Sequence, residues 1–105
     1  LEVLPHVDLL IANIFELQAL SGEKTEDEAL KFIGSKVTAC AITLGGRGAW
    51  IRFDRHESYV PAVPTKVVNL TGAGDAFAGG LLLGLSRGES PQASAELGCF
   101  AASQI

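Results

Sequence analysis

Apolar positions along the chain alternate between short continuous runs and longer stretches with helical spacing. Mainly apolar runs occupy residues 7–12 and 37–44, and both are predicted to be strands. The nearly continuous run at 7–12 has the pattern of a strand that is buried on both faces. Residues 49–53 form another run after a glycine-rich segment, and a further short run starts at Ser58. Because two prolines lie close after Ser58, this last run is predicted at an edge of the sheet.

Stretches with helical spacing lie between and after these runs. The predicted helices cover residues 14–20, 26–35 and 75–86, and a last helix begins at Pro91. Three of them are preceded by good N-terminal capping residues, which are Asn13, Thr25 and Ser90. The alternation of strand and helix predicts an α/β fold with a mostly parallel sheet and flanking helices. In such folds ligands bind where the carboxyl ends of strands meet helix N-termini.

The segment over residues 67–85 combines an apolar approach, a glycine-punctuated turn and an apolar helical stretch. Gly72 and Gly74 lack a Cβ, so this turn can bring backbone N–H groups close to an anion at the start of the helix. Asp75 places a carboxylate directly beside these amides. The pattern indicates a base close to a transferred phosphate. Simple charging or capping of the first helical turn by Asp75 explains it equally well.

Two earlier segments also place polar or glycine residues after apolar strands. Asn13 and Glu16 have the spacing of a capping box, which is a sufficient structural explanation for both residues. The glycines at 45–48 are likewise explained by a hairpin loop between two strands. His56 lies in a charged turn without a partner pattern, and we predict a surface position for it.

Composition narrows the class of protein. The chain has 105 residues and a formal net charge of -4, with its basic residues scattered, so we expect one small domain that does not bind nucleic acid or anionic membranes nonspecifically. No apolar run is long enough to span a bilayer. Cys40 and Cys99 lie in apolar elements without a metal-ligand spacing. We therefore predict two buried free thiols and a cytoplasmic location.

The same segments resemble one known family. Residues 69–80 closely resemble the signature of the PfkB, or ribokinase-type, carbohydrate and nucleoside kinases, which reads Asp-Thr-x-Gly-Ala-Gly-Asp-x-Phe followed by small residues. Residues 13–16 are similar to the family's Asn-x-x-Glu motif, and residues 43–50 to its Thr-Leu-Gly-x-x-Gly segment. Residues 97–103 resemble the small-residue helix that packs near the adenine, above all in the adenosine-kinase-type branch.

The resemblance implies a ribokinase-like fold and ATP-dependent phosphoryl transfer to a hydroxymethyl group of a sugar or nucleoside. It assigns the anion hole to Gly72, Ala73 and Gly74, and the general base to Asp75. The residues that it implies for nucleotide binding are Thr43, Leu44, Gly45, Gly46, Arg47 and Gly48.

The resemblance also implies two metal sites. Asn13 and Glu16 would contact Mg²⁺, through water, near the phosphates. In ribokinase-like members an Asp at the position of Asn69, together with the backbone at Thr71, helps to form a site for a monovalent cation. Asn69 keeps an oxygen ligand but loses the charge, so we predict weak or absent activation by K⁺.

The resemblance covers residues 1–105 but only the carboxyl-side part of the family's domain. Because the chain starts without Met and stops inside an apolar helical pattern, we expect a partial kinase domain without the acceptor-binding half and the lid. Its expected partners are ATP and a small sugar or nucleoside, and a homo-oligomer is one way to complete a site. A catalytically inert nucleotide-binding fragment, or a pseudo-enzyme module, is the alternative interpretation.

Overall fold

Four strands form the sheet of the protein, whose computed structural model describes residues 9–63 and 70–104, without the side chains of residues 70 and 71. The strands are β1 Leu10–Asn13, β2 Ala39–Thr43, β3 Ala49–Phe53 and β4 His56–Val60. They neighbour one another in the order β1-β2-β3-β4. The last strand therefore lies at an edge of the described sheet, as the prolines in the sequence predict.

In the part of the chain that the structure describes, four α-helices accompany the strands, namely α1 Ile14–Ser21, α2 Glu26–Gly34, α3 Leu70–Ser86 and α4 Pro91–Ser103. Asn13, Thr25 and Ser90 each accept a hydrogen bond, at the side-chain oxygen, from the backbone N–H three residues further on. Such N-caps satisfy donors that an α-helix leaves unpaired at its start. The predicted starts of α1, α2 and α4 are thereby confirmed.

The sheet is mixed rather than mostly parallel within the described residues, whereas the predicted α/β class with flanking helices holds. β1 and β2 are parallel, but β2–β3 and β3–β4 are antiparallel pairs. Parallel neighbours need a crossover of roughly a dozen residues or more. Only residues 44–48 join β2 to β3, and only residues 54–55 join β3 to β4, so both connections are hairpins.

The helices lie in two layers on opposite faces of the sheet. Along β2 the side chains alternate, with Cys40 and Ile42 in a cluster formed with α1 and α2. Ala41, between them, belongs to a second cluster formed with α3 and α4. Since successive side chains of a strand point to opposite faces, β2 is buried on both sides.

Helices α3 and α4 pack closely because small residues face each other. A Cβ added to Gly80 would lie 2.7 Å from the Cα of Gly98, and one added to Gly84 would lie 2.6 Å from the Ser94 hydroxyl oxygen. The prediction that glycines of this helix allow close packing is confirmed at these two positions. It is wrong for Gly79, where an added Cβ would meet nothing within 4 Å.

None of the helices in the described ranges combines the length and the hydropathy that a membrane span requires.

Candidate functional site

A cleft of about 150 Å³ opens where β1 and β2 end. Asn13 and Thr43, the last residues of these strands, both line it. They are joined there by residues from the following loop, from the start of α3 and from the end of α4. The other lining residues are Phe15, Gly45, Gly46, Gly48, Ala62, Val63, Ala73, Gly74, Phe77, Cys99, Ala102 and Ser103.

The two strand-end residues are 30 positions apart in the sequence. The parallel register of β1 and β2 pairs Asn13 directly with Thr43, which is why both reach the same cleft.

The capping box at the start of α1 is formed as predicted. Asn13 Oδ1 accepts a hydrogen bond from the Glu16 N–H at 2.7 Å, and Glu16 Oε1 accepts one from the Asn13 N–H at 3.1 Å. Asn13 lines the cleft, whereas Glu16 is exposed and does not. A carboxylate has about four lone-pair sites, so the capping bond leaves Glu16 able to contact a hydrated Mg²⁺. The two residues therefore fit the implied ion.

The loop after β2 turns through a short 3₁₀ segment, Gly45–Arg47. The Leu44 N–H donates to the Gly48 carbonyl oxygen at 2.8 Å and closes the base of the loop. Gly48 has a φ of +110°, and a Cβ there would overlap the Val60 carbonyl oxygen, so only glycine fits. Gly45 and Gly46 have open space beside them, and both line the cleft. The hairpin explanation of the glycines is confirmed, and the same loop forms a wall of the cleft.

Two of the six predicted loop residues lie elsewhere. Leu44 is buried in the cluster under α1 and α2, so its side chain serves the core. Arg47 does not line the cleft, because its guanidinium pairs with Glu26 of α2, with Nη1 3.0 Å from Glu26 Oε1. This pairing lowers the pKa of Glu26 and raises that of Arg47 through their hydrogen bond.

Helix α3 begins at Leu70, five residues before the predicted start at Asp75 (75 − 70 = 5). Gly72, Ala73 and Gly74 therefore lie in the first turns of the helix and not in a preceding loop. A tertiary setting that extends a helix through two glycines overrides their low helix propensity. Ala73 and Gly74 line the cleft, close to the positive end of the helix dipole.

The other residues that were assigned to the anion hole and to the general base, Gly72 and Asp75, lie outside the cleft lining. Asp75 is exposed and directly follows Gly74. Gly72 is half-buried and is not a lining residue. Of the pair implied for a monovalent cation, Asn69 lies outside the described residues, and Thr71 belongs to α3 without a described side chain.

The end of α4 supplies an apolar wall of the cleft. The helices run antiparallel, because Gly80 approaches Gly98 while Gly84 approaches Ser94, so the end of α4 lies beside the start of α3. Cys99 of this wall is nearly buried, and burial raises the pKa of its thiol, with the Glu96 carboxylate adding to the effect. A thiol of this kind is a poor nucleophile. Cys99 therefore contributes shape and apolar surface.

Both cysteines are buried and free, as predicted. Burial raises the pKa of Cys40 to about 11, so this thiol is also neutral near pH 7. No group of three or more His, Cys, Asp or Glu residues that could hold a metal ion occurs within the described ranges.

The chemistry of the lining indicates the kind of ligand that it accepts. No Asp, Glu, Lys, Arg or His is among the described lining residues. The polar groups are the Asn13 amide, the hydroxyls of Thr43 and Ser103, and the backbone of the glycine positions. One side is apolar, with Phe77 and Cys99. A ligand with a flat apolar part and an anionic part suits this division, because helix-start amides favour anions without a basic side chain.

Sequence reasoning missed Ala62, Val63 and Phe77 as lining residues. Ala62 and Val63 reach the cleft only because β4 ends beside the loop, and nothing in their local pattern signals this. Phe77 was within the recognised signature, and its near-complete burial connects the cleft to the core beneath α3.

Solved structures place this architecture in the ribokinase-like class. The crystal structure of a "probable sugar kinase protein" from Rhizobium etli superposes with a TM-score of 0.91 at 35% identity, covering 97% of this chain and 32% of that chain. A nucleoside kinase from Burkholderia thailandensis, solved as a complex with ADP-inosine, gives a TM-score of 0.81 at 31% identity over 97% of this chain and 32% of that one. The predicted ribokinase-like fold is confirmed.

The chain belongs to the pfkB family of carbohydrate kinases, whose family model matches residues 1–105. A curated relative, named "Uncharacterized sugar kinase", from Archaeoglobus fulgidus is 34% identical over 98% of this chain and 41% of its own length. The chain thus spans about a third of the length of the Rhizobium etli protein and about two fifths of the Archaeoglobus fulgidus relative. Its relatives are sugar and nucleoside kinases.

Proposed function

We propose that this chain is the nucleotide-binding and catalytic portion of a kinase that transfers phosphate from ATP to a hydroxymethyl group of a sugar or nucleoside. The observation that carries the proposal is the cleft itself, in which three separate motifs meet. They contribute Asn13, the loop from Thr43 to Gly48, and the helix start at Ala73 and Gly74. Phosphoryl transfer depends mainly on positioning and on charge stabilisation, which such a site can supply.

The start of α3 suits the transferred phosphate. In this proposal the backbone amides of Gly72, Ala73 and Gly74, together with the helix dipole, stabilise the negative charge that develops on the phosphoryl oxygens. The exposed Asp75 carboxylate accepts the proton of the attacking hydroxyl. Its exposure leaves room for an acceptor molecule beside this carboxylate.

The remaining motif residues have supporting roles. The Thr43 hydroxyl and the backbone of the loop hold the nucleotide, whose base suits the apolar wall beside Cys99. Asn13 and Glu16 would hold hydrated Mg²⁺, which neutralises charge on the phosphates when it is bound. Asn69 is neutral, so we propose little activation by K⁺. Two free cysteines support a reducing compartment such as the cytoplasm.

A second function is favoured by one observation. The chain spans about a third of the length of the solved kinases that it is similar to. A nucleotide-binding module without turnover therefore remains the alternative. Both proposals place the nucleotide in the same cleft, and they differ in whether the chain transfers phosphate to an acceptor.

Nucleotide binding is tested by filling the cleft. Gly46→Leu places a side chain into open space at the cleft wall, so it should fold and abolish Mg²⁺-ATP binding in calorimetry. Gly79→Leu is the matched control, because it adds the same side chain in open space on α3 outside the cleft. Equal ATP affinities in the two variants would contradict the proposed nucleotide site.

Chemistry is tested at Asp75. We expect Asp75→Asn to lower acceptor-dependent ADP formation by about 10²- to 10⁴-fold, the usual contribution of a general base, with ATP affinity nearly unchanged. Ribose and adenosine serve as acceptors, and Asp27→Asn, an exposed carboxylate on α2, is the control. ATP binding without acceptor-dependent turnover in the unmodified chain would favour the nucleotide-binding module.

A further inference from the structure

The Gly45–Gly48 loop, which lines the cleft, is hydrogen-bonded to two other elements, α2 and β4. Arg47 donates from both terminal guanidinium nitrogens to the two carboxylate oxygens of Glu26 at the start of α2. The Tyr59 hydroxyl on β4 donates to the Arg47 carbonyl oxygen. Glu26 and Tyr59 do not line the cleft. One residue of the loop is thus held through its side chain and its backbone at once.

These hydrogen bonds restrain a loop, Gly45–Gly48, that has little conformational rigidity of its own. Three of the four residues from Gly45 to Gly48 are glycines, which lose the most conformational freedom on folding. Gly45 and Gly46 have no atom within 4 Å of an added Cβ, so packing does not restrain them. The base of the loop is closed by the bond between Leu44 and Gly48. The conformation of the loop between these two residues is restrained by the hydrogen bonds of Arg47.

We propose that Glu26 and Tyr59 are positioning residues that hold the Gly45–Gly48 loop, through Arg47, in the conformation that receives the nucleotide. The inference rests on the proposed nucleotide site. It also assigns Arg47 a role different from direct contact with the phosphates, because its guanidinium is bound to Glu26 outside the cleft. The contacts from α2 and β4 restrain the loop before the nucleotide binds, so the loop loses less conformational entropy on binding.

The test uses Glu26→Gln, Tyr59→Phe and the double variant of this chain. Each single variant should weaken ATP binding by about two- to fivefold, as expected for exposed interactions of this kind, and the double variant should weaken it further. Amide hydrogen exchange of Gly46 and Gly48 without nucleotide should accelerate in the same order. Asp27→Asn is the matched control, since it removes a charge from the same turn of α2 without touching Arg47.

A charge exchange supplies the rescue. Glu26→Arg combined with Arg47→Glu restores an ion pair across the same gap, so it should recover ATP affinity and slow amide exchange relative to Glu26→Arg alone. If Glu26 only stabilised the fold, the variants would have lower thermal stability, and the charge exchange would not restore ATP affinity.

The outcomes separate the two proposals. Unchanged ATP affinity in the double variant, or equal weakening by Asp27→Asn, would overturn the positioning role. If the unmodified chain binds no ATP, the proposed function fails, and amide exchange alone then decides whether Glu26 and Tyr59 hold the loop. Unchanged exchange in the variants would overturn that inference, and faster exchange would support it.

Discussion

The two helix layers that cover the sheet pack in different ways. Under α1 and α2 the contact is made by large aliphatic side chains, including Ile14, Leu17 and Ile33. Between α3 and α4 it is made by glycines, with Gly80 against the backbone of Gly98. Aliphatic packing tolerates small shifts through rotamer changes, whereas backbone contact fixes the distance between two helices closely.

The difference bears on the cleft. Ala73 and Gly74 at the start of α3 and Ala102 at the end of α4 all line it, so the spacing of these helices sets its width. Among the described lining residues, Phe15 is the one that belongs to α1 or α2, and Asn13 caps the start of α1. We infer that the first layer mainly stabilises the fold, while the second also determines the shape of the site.

The largest effect is expected in the aliphatic layer. Leu17→Ala should lower the free energy of unfolding by about 2–5 kcal/mol, because it leaves a cavity among fully buried side chains. Urea denaturation measures this loss. Leu20→Ala, on the same helix but half-exposed, is the control and should cost much less. Similar losses in both variants would mean that the α1 layer is not packed as described.

A smaller but sharper effect is expected in the glycine layer. Gly80→Ala places a Cβ 2.8 Å from the Leu97 carbonyl oxygen, so α3 and α4 must separate, at a cost of about 1–3 kcal/mol.

Gly79→Ala is the control for this change, since it meets nothing and should stabilise the helix by about 0.5–1 kcal/mol. If Gly80→Ala lowers and Gly79→Ala raises the free energy of unfolding in the same denaturation series, the backbone contact between α3 and α4 at Gly80 is supported. A loss of stability in both would contradict it.

The smallest expected effect concerns pH. Arg47 lowers the pKa of Glu26 below its ordinary value of 4.5, through their hydrogen bond. The pair therefore contributes its full stability above pH 4.5, and the contribution is lost as the pH falls through the lowered pKa. Glu26→Gln should reduce the melting temperature slightly at pH 7 and by less near pH 2, because the Glu26 carboxylate loses its charge as the pH falls through the lowered pKa. An equal difference at both values would show that the charge is not responsible.

Much of the site could be predicted from local motifs. The segments around Asn13, Thr43 and Gly74 were singled out by sequence, and all three reach one cleft. Arg47, which was assigned to nucleotide contact, does not line the cleft, because its guanidinium pairs with Glu26. The sequence did not predict this pairing, since Glu26 lies 21 positions away and no local pattern joins the two residues.

What the sequence determined by itself is set by interactions between near neighbours in the chain. Asn13, Thr25 and Ser90 start their helices because each cap bonds to a backbone group three residues away. Alternation of side chains along β2 likewise follows from strand geometry.

Tertiary structure decided the features that depend on distant groups. It extended α3 back to Leu70, gave Gly80 a backbone neighbour but Gly79 none, and turned β3 antiparallel to β2. In each case the outcome depends on which surfaces meet after folding, because contact distances of a few ångströms are not encoded in local propensity. Local chemistry therefore set where the elements begin, and packing between elements set the shape of the cleft.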